Sequence, residues 1–343
     1  MKRQILILYT GGTIGMKSSA QGYAPDDGFE ALLDTRLRLQ QSPDSIHQLP
    51  DYHVVKFSQL IDSSNLMPAD WTQIGQTLND NWNNYDGFIV LHGTDTMAYT
   101  ASALSFILQG MNKPVIITGS QIPLSELRND ALDNLVTSLI LAGNYDIPEV
   151  CIYFNGRLLR GNRSKKIKSA ELDAFDSPNF PWLGQVGIHI DIQKKLLLKP
   201  GQPDFNLPHC NPNRVVITPI YPGISARVID ALLDSDEVRA LILRSYGVGN
   251  PPDQNTAFIA SLERASNNGV VLLNTTQCLQ GSVNQGAYAT GATLNRIGVT
   301  PAADLTLEAA FTKLHFLIGM GDDAATIRKN ITRPLCGECS HTD

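Results

Sequence analysis

Metal-ligand clusters, long apolar runs and concentrated positive charge are all missing from this sequence, and each absence removes a class of function. No His-Glu-x-x-His or comparable ligand cluster occurs, so neither a catalytic metal nor any other cofactor is expected. No segment approaches the roughly 18 apolar residues of a membrane helix, so no membrane partner is expected. The net charge is −6, and basic residues gather only in Arg163-Ser164-Lys165-Lys166-Ile167-Lys168. So short a run is more often a solvated loop than a phosphate track, which argues against nucleic-acid binding. Met1-Lys2-Arg3 imitates the start of a secretory signal, but the apolar run behind it ends at Tyr9 before a glycine pair. That is too short for a secretory core, so a cytoplasmic chain without a leader is expected. Cysteine is scarce too: five in 343 residues, an odd count, with Cys151, Cys210 and Cys278 far apart, unlike a disulfide framework. Cys336 and Cys339 have the spacing of a redox or zinc half-site, yet only His341 stands near them, and residues 336–343 read as a flexible tail.

What is present is an ordinary apolar fraction of 43%, enough for two domains with sizeable cores. Apolar runs at 5–8, 88–91, 114–118 and 149–154 read as buried strands stopped by glycine and polar residues. Stretches at 96–108 and 126–141 carry the helical period between them. Strands alternating with helices predict an α/β fold, a mainly parallel sheet with helices on both faces. Residues 16–30 hold Gly22, Pro25 and Gly28 without periodicity and read as a long lid or binding loop. The pattern breaks again over 195–213, where Pro200, Pro203, Pro208 and Pro212 suggest a linker between domains 1–194 and 214–335. Alternation resumes beyond it, with strands at 215–220, 240–243 and 270–274, so the smaller second domain reads as α/β again.

Two hydroxyl-bearing turns stand out. Thr10-Gly11-Gly12-Thr13-Ile14-Gly15 follows the first strand, and His92-Gly93-Thr94-Asp95-Thr96 follows the strand at 88–91. The first is not a dinucleotide fingerprint, because Thr10 stands where that motif needs glycine. The carboxyl ends of parallel strands are where open α/β sheets put their chemistry, and two threonines there suggest hydrolytic attack on a carbonyl. Each turn also has a plain reading: Thr13 satisfying its own turn, and Thr94 or Asp95 capping the helix near position 96. Capping and catalysis are compatible. Threonine needs a base within hydrogen-bond reach, and a lysine serves as one only when desolvated or crowded by charge. His92 at a strand end is expected to be a packed, hydrogen-bonded residue rather than a proton carrier.

Together with Asp62-Ser63-Ser64, Thr118-Gly119-Ser120-Gln121, Arg160-Gly161-Asn162-Arg163-Ser164-Lys165-Lys166 and Leu243-Arg244-Ser245-Tyr246-Gly247-Val248-Gly249-Asn250, the two turns resemble the bacterial-type L-asparaginases over nearly the full length. The Asp-Ser-Ser element and the missing leader look like the cytoplasmic type I branch. The resemblance implies an asparaginase-like two-domain fold and hydrolysis of L-asparagine to L-aspartate and ammonia through a threonine acyl-enzyme. It assigns Thr13, Thr94, Asp95 and Lys166 to catalysis, with Tyr23 on the lid closing beside the first threonine. Asp62, Ser63, Thr94, Asp95 and Ser120 would hold the substrate. A homodimer or homotetramer is implied, since the family's sites lie close to subunit contacts. Arg244 and Cys278 match a second, allosteric asparagine site of some relatives; Lys165 departs from it, standing where those relatives have a small hydroxyl residue. Which threonine attacks is left open, as is glutamine against asparagine, which differ by one methylene. An amidotransferase subunit, expected to carry an additional N-terminal domain, and a non-catalytic amino-acid sensor, expected to have lost one of Thr13, Thr94, Asp95 or Lys166, are the rival readings.

Overall fold

Runs of apolar residues that stop at glycine or threonine form the middle of a parallel sheet, because strands covered on both faces have no polar side to show. In the computed structural model the described residues are 2–20, 22–26, 28–40, 49–286 and 289–340. The chain divides into two units, residues 1–206 and 207–343. The first begins with β1 (Gln4–Tyr9), a hairpin of β2 (Met16–Ser19) and β3 (Gly22–Pro25), α1 (Phe29–Gln40) and β4 (Asp51–Lys56). Then follow α2 (Pro68–Asn81), β5 (Gly87–Leu91), α3 (Met97–Ile107), β6 (Val115–Thr118), α4 (Ala131–Asn144) and β7 (Val150–Phe154). Short strands complete it: β8 (Arg157–Arg160), β9 (Lys165–Lys166), β10 (Phe175–Asp176), β11 (Gly184–Val186) and β12 (Ile190–Ile192).

The large sheet runs β12-β11-β8-β7-β6-β5-β1-β4, parallel from β7 to β4 and antiparallel beyond. From β1 the chain steps outward to β4, then returns past β1 to build β5, β6 and β7 on the other side. The strand order therefore reverses between β1 and β5. Ile5, Ile7, Ile89 and Leu91 pack against Leu33 and Leu37 of α1 and Leu135 and Leu139 of α4. The alternate residues, Leu6, Leu8, Phe88 and Val90, are as fully buried on the opposite face, where Trp82 after α2 stacks on Phe88 at 4.9 Å.

The second unit holds β13 (Val215–Pro219), α5 (Ala226–Leu232), β14 (Ala240–Ser245), α6 (Thr256–Asn267) and β15 (Val271–Thr276). It ends with α7 (Ala289–Arg296), β16 (Thr300–Pro301), α8 (Leu307–Gly319) and α9 (Ala324–Asn330). Its four strands form one parallel sheet in chain order. No helix among the described residues is long and apolar enough to cross a membrane.

Several local expectations are corrected. The segment expected as a structureless lid is the β2–β3 hairpin, with Met16 opposite Pro25 (Gln21 and Asp27 lie outside the described residues). It shows no apolar alternation because both of its faces are largely exposed. The helix expected over 126–141 starts at Ala131, since Asp130 is used elsewhere: its carboxylate accepts the N–H groups of Gln121 and Ile122, each at 2.9 Å. Residues 201–206, inside the expected linker, run along the end of α3, where Asp204 N donates to Gln109 O and Asn206 N to Ile107 O, both at 3.1 Å.

The flexible tail is also corrected. Residues 336–340 are packed, with Cys339 buried and the Glu338 carboxylate buried against Lys313 of α8; residues 341–343, His341 among them, lie outside the described residues. Polar composition misled here, because a buried ion pair looks like surface in a sequence.

Candidate active site

In an open α/β sheet the crevice lies at the carboxyl ends of the strands where their order reverses. Here that is the gap between β1 and β5, and both hydroxyl turns border it. Gly12 takes φ 94°, and a Cβ on it would stand 2.5 Å from the Gly93 nitrogen. A Cβ on Gly11, at φ 134°, would collide with the Ile61 carbonyl; one on Gly93 would collide with Ser63, and one on Gly119 with the His92 carbonyl. Four backbone segments thus lie in direct contact, and only glycine permits the approach. Thr10 Oγ1 ties two of them by donating to Leu91 O at 2.8 Å.

Thr94 is buried and held on two sides. Lys166 Nζ, brought in by β9, donates to Thr94 Oγ1 at 2.8 Å and to Asp95 Oδ1 at 2.7 Å. The Thr94 hydroxyl donates to Gln121 Oε1 at 3.1 Å, while Gln121 Nε2 donates to the carbonyls of Ser169 and Glu171, each at 3.2 Å. With its NH₂ engaged on two carbonyls, the Gln121 amide can only turn its oxygen to Thr94. The set is a threonine oxygen whose free electron pairs face an amine fixed by a carboxylate. Once that amine is neutral it can accept the hydroxyl proton, which is how threonine and lysine make a nucleophile or activate a water.

His92 takes no part in this. Its Nδ1 lies 2.7 Å from Gly93 O and its Nε2 2.9 Å from Thr100 Oγ1. A carbonyl can only accept, so Nδ1 carries the proton and Nε2 receives the Thr100 hydroxyl. Complete burial lowers its pKa from the ordinary value, which keeps the ring neutral.

Residues 4–198 match the family model described as Asparaginase, N-terminal, and residues 214–331 the one described as Glutaminase/Asparaginase C-terminal domain. The chain belongs to the asparaginase family. It is 48% identical over 347 residues to L-asparaginase 1 of Escherichia coli K12, covering 100% of this chain and 99% of that protein. Among solved structures, L-asparaginase I from Vibrio cholerae matches with a TM-score of 0.91 at 42% identity, over 99% of this chain and 100% of that one. The thermostable L-asparaginase from Thermococcus kodakarensis matches with 0.87 at 31% identity, over 99% and 100%.

Of the residues the asparaginase resemblance singles out, Thr94, Asp95 and Lys166 are in mutual contact. Ser63 touches the same turn on either side of Thr94 and Asp95: it is buried, its carbonyl accepts Thr96 Oγ1 at 2.8 Å, and its side chain lies against Gly93. Asp62 is exposed and accepts Ser64 N at 3.0 Å, capping the short turn that carries Ser63. The Ser120 hydroxyl is buried without a hydrogen-bond partner among the described residues, beside Gln121. Thr13 opens the 3-10 turn after Gly12, partly exposed. Tyr23 is not drawn in: it is half-exposed, and its hydroxyl donates to Glu126 Oε1 at 3.3 Å. In the second unit Arg244 lies within β14, which runs on to Ser245 rather than stopping at 243, and pairs with Thr275 of β15; Cys278 lies just beyond β15, and the Arg244 Nε is buried without a partner among the described residues. Lys165 stands in β9 opposite Asp176.

Residues that the sequence reading did not assign to the site complete it. Gln121 orients Thr94, Asp130 fixes the Gln121 loop, and Asn134 donates to Gly119 O at 3.0 Å while its Oδ1 accepts Asn155 N at 3.0 Å. Their signal is weak, since each works through backbone groups far away in sequence.

Proposed function

We propose that this chain is a type I L-asparaginase, hydrolysing the side-chain amide of L-asparagine to L-aspartate and ammonia. The observation that carries the reading is Lys166 Nζ bridging Thr94 Oγ1 and Asp95 Oδ1 at 2.8 and 2.7 Å, beside the turn that presents Thr13. In the first half-reaction the Thr13 oxygen attacks the amide carbon as the hairpin closes and Tyr23 leaves Glu126. The Thr13 proton passes through Tyr23 to the amide nitrogen, the C–N bond breaks, and ammonia departs from an ester on Thr13. In the second, neutral Lys166 draws a proton through Thr94 from a water that attacks the ester; aspartate leaves and the proton returns to Thr13. The Ser63 hydroxyl and its neighbouring amide receive the α-carboxylate, with Asp62 on nearby polar groups. Asp95 receives the α-ammonium, and the unpaired Ser120 hydroxyl is available to the amide.

The enzyme is read as cytoplasmic and as a homodimer or homotetramer, in keeping with its type I relatives. A second asparagine, activating rather than reacting, is assigned to Arg244 and Cys278. The unpartnered Arg244 nitrogen supports this, since a planar guanidinium suits a carboxylate. Lys165 either adds a contact to that ligand or occupies part of its space. A coupled ammonia-release assay tests the main reading. Asparagine is expected to turn over, with glutamine slower by about 10–200-fold for the extra methylene. Absence of ammonia from either amide would overturn the reading in favour of an amino-acid sensor.

A further inference from the structure

The Cys-x-x-Cys segment plays no part in amide hydrolysis, yet it is built into the fold of the second unit. The backbone bends at every residue from Leu335 to Cys339, and Gly337 takes φ 80°, a left-handed value that suits glycine. Inside this curl the Glu338 carboxylate accepts the N–H of Leu335 at 2.9 and 3.0 Å and that of Cys336 at 2.9 Å. It is also paired with Lys313 at 2.5 Å, both side chains being fully buried. Lys313 in turn donates to Ile331 O at 2.8 Å and Arg333 O at 2.6 Å. The turn is therefore fixed from within, with one cysteine on each side of Gly337 and Glu338.

Stretched out, three residue steps would span about 10 Å. Five successive bends, closed by the Glu338 carboxylate on the Leu335 and Cys336 N–H groups, shorten that span toward the roughly 4.4–6.8 Å between Cα atoms that a disulfide needs. The two thiols differ in access: Cys336 is half-buried, whereas Cys339 is 3% exposed and its thiol donates to Thr332 O at 3.4 Å. The remaining cysteines, Cys151, Cys210 and Cys278, have no neighbour in sequence to pair with, and burial pushes the Cys151 thiol well above its ordinary pKa.

We propose that Cys336 and Cys339 form a reversible dithiol–disulfide pair that exchanges with low-molecular-weight disulfides such as oxidised glutathione. The accessible Cys336 thiolate attacks one sulfur of the oxidant, its S–S bond breaks, and one glutathione thiolate leaves. Cys339 then gives up its proton and attacks the Cys336 sulfur of the mixed disulfide, releasing the second glutathione. Two protein thiols are oxidised, one glutathione disulfide is reduced to two thiols, and the two protons leave with them.

The test equilibrates the reduced full chain with oxidised and reduced glutathione in varied ratio, quenches with acid, alkylates the remaining thiols and maps the products by mass spectrometry. In the folded wild type the segment holding Cys336 and Cys339 is expected to lose two hydrogens and both of its alkylation sites, counted separately from any glutathione adduct on the exposed Cys278. This pairing should be favoured roughly tenfold or more over that of the same chain in urea, because the turn is already formed. Cys339→Ser should instead accumulate one glutathione adduct on Cys336. Cys336→Ser should leave Cys339 unmodified while folded, its melting transition checking that it is. A wild-type chain that accumulates the Cys336 adduct without closing the ring, or that pairs no better folded than in urea, would overturn the proposal.

Discussion

A threonine hydroxyl holds its proton too tightly to attack an amide unaided, and what changes this is the company the two threonines keep. Thr94 has Lys166 and Gln121 on its oxygen, while Thr13 projects from a turn pressed against Gly93. Thr13→Ala and Thr94→Ala are each expected to lower kcat by about 10³-fold or more with unchanged melting. The double variant should be little worse, since groups acting as a unit are not additive. Near wild-type turnover in either single variant would overturn the assignment. Lys166→Met should match them, whereas Lys165→Met should keep most activity, because neighbours on a strand point to opposite faces and Lys165 stands opposite Asp176. If Lys165 proves the indispensable residue, the roles are exchanged. These four residues were legible as motif positions. Gln121 as the orienter of Thr94 was not, because its bonds reach loops about fifty positions away.

At the scale of elements, α8 carries ionisable side chains into the core of the second unit: Glu308, Lys313 and His315 are all buried. Glu338 neutralises Lys313, so Glu338→Ala would leave a charge buried without its counter-ion. A loss of about 3–5 kcal/mol in urea unfolding is expected, much of it recovered when Lys313→Met is combined with Glu338→Leu. An undiminished midpoint in Glu338→Ala would show that water reaches Lys313. His315 behaves differently: burial pushes its pKa down to about 4. The unfolded chain takes up this proton near the ordinary value of about 6.5, so unfolding binds a proton between the two. Stability is therefore fully present above about pH 6.5 and falls as the pH drops toward 4, by about 3 kcal/mol from this group. His315→Gln should flatten that part of a melting-temperature profile, and an unchanged slope would assign the acid loss to other groups.

For the whole molecule, assembly and cooperativity are the open quantities. Sedimentation equilibrium at micromolar concentration is expected to give a dimer or tetramer; a fully active monomer would refute it. Rate against asparagine concentration should be sigmoidal and become hyperbolic in Arg244→Ala. A wild-type curve already hyperbolic and unchanged by that substitution would remove the second site. The sequence alone determined the alternation of strands and helices, because buried parallel strands must be continuously apolar and must stop where the chain turns. It also marked Thr13, Thr94, Asp95 and Lys166, since their motifs are local in the chain. Only the tertiary structure decided that the strand order reverses between β1 and β5, that Gly11, Gly12, Gly93 and Gly119 let four backbones touch there, and that residues 336–340 pack around a buried carboxylate. Those outcomes depend on contacts between residues distant in sequence, and spacing along a chain carries no information about which distant segments come to lie together.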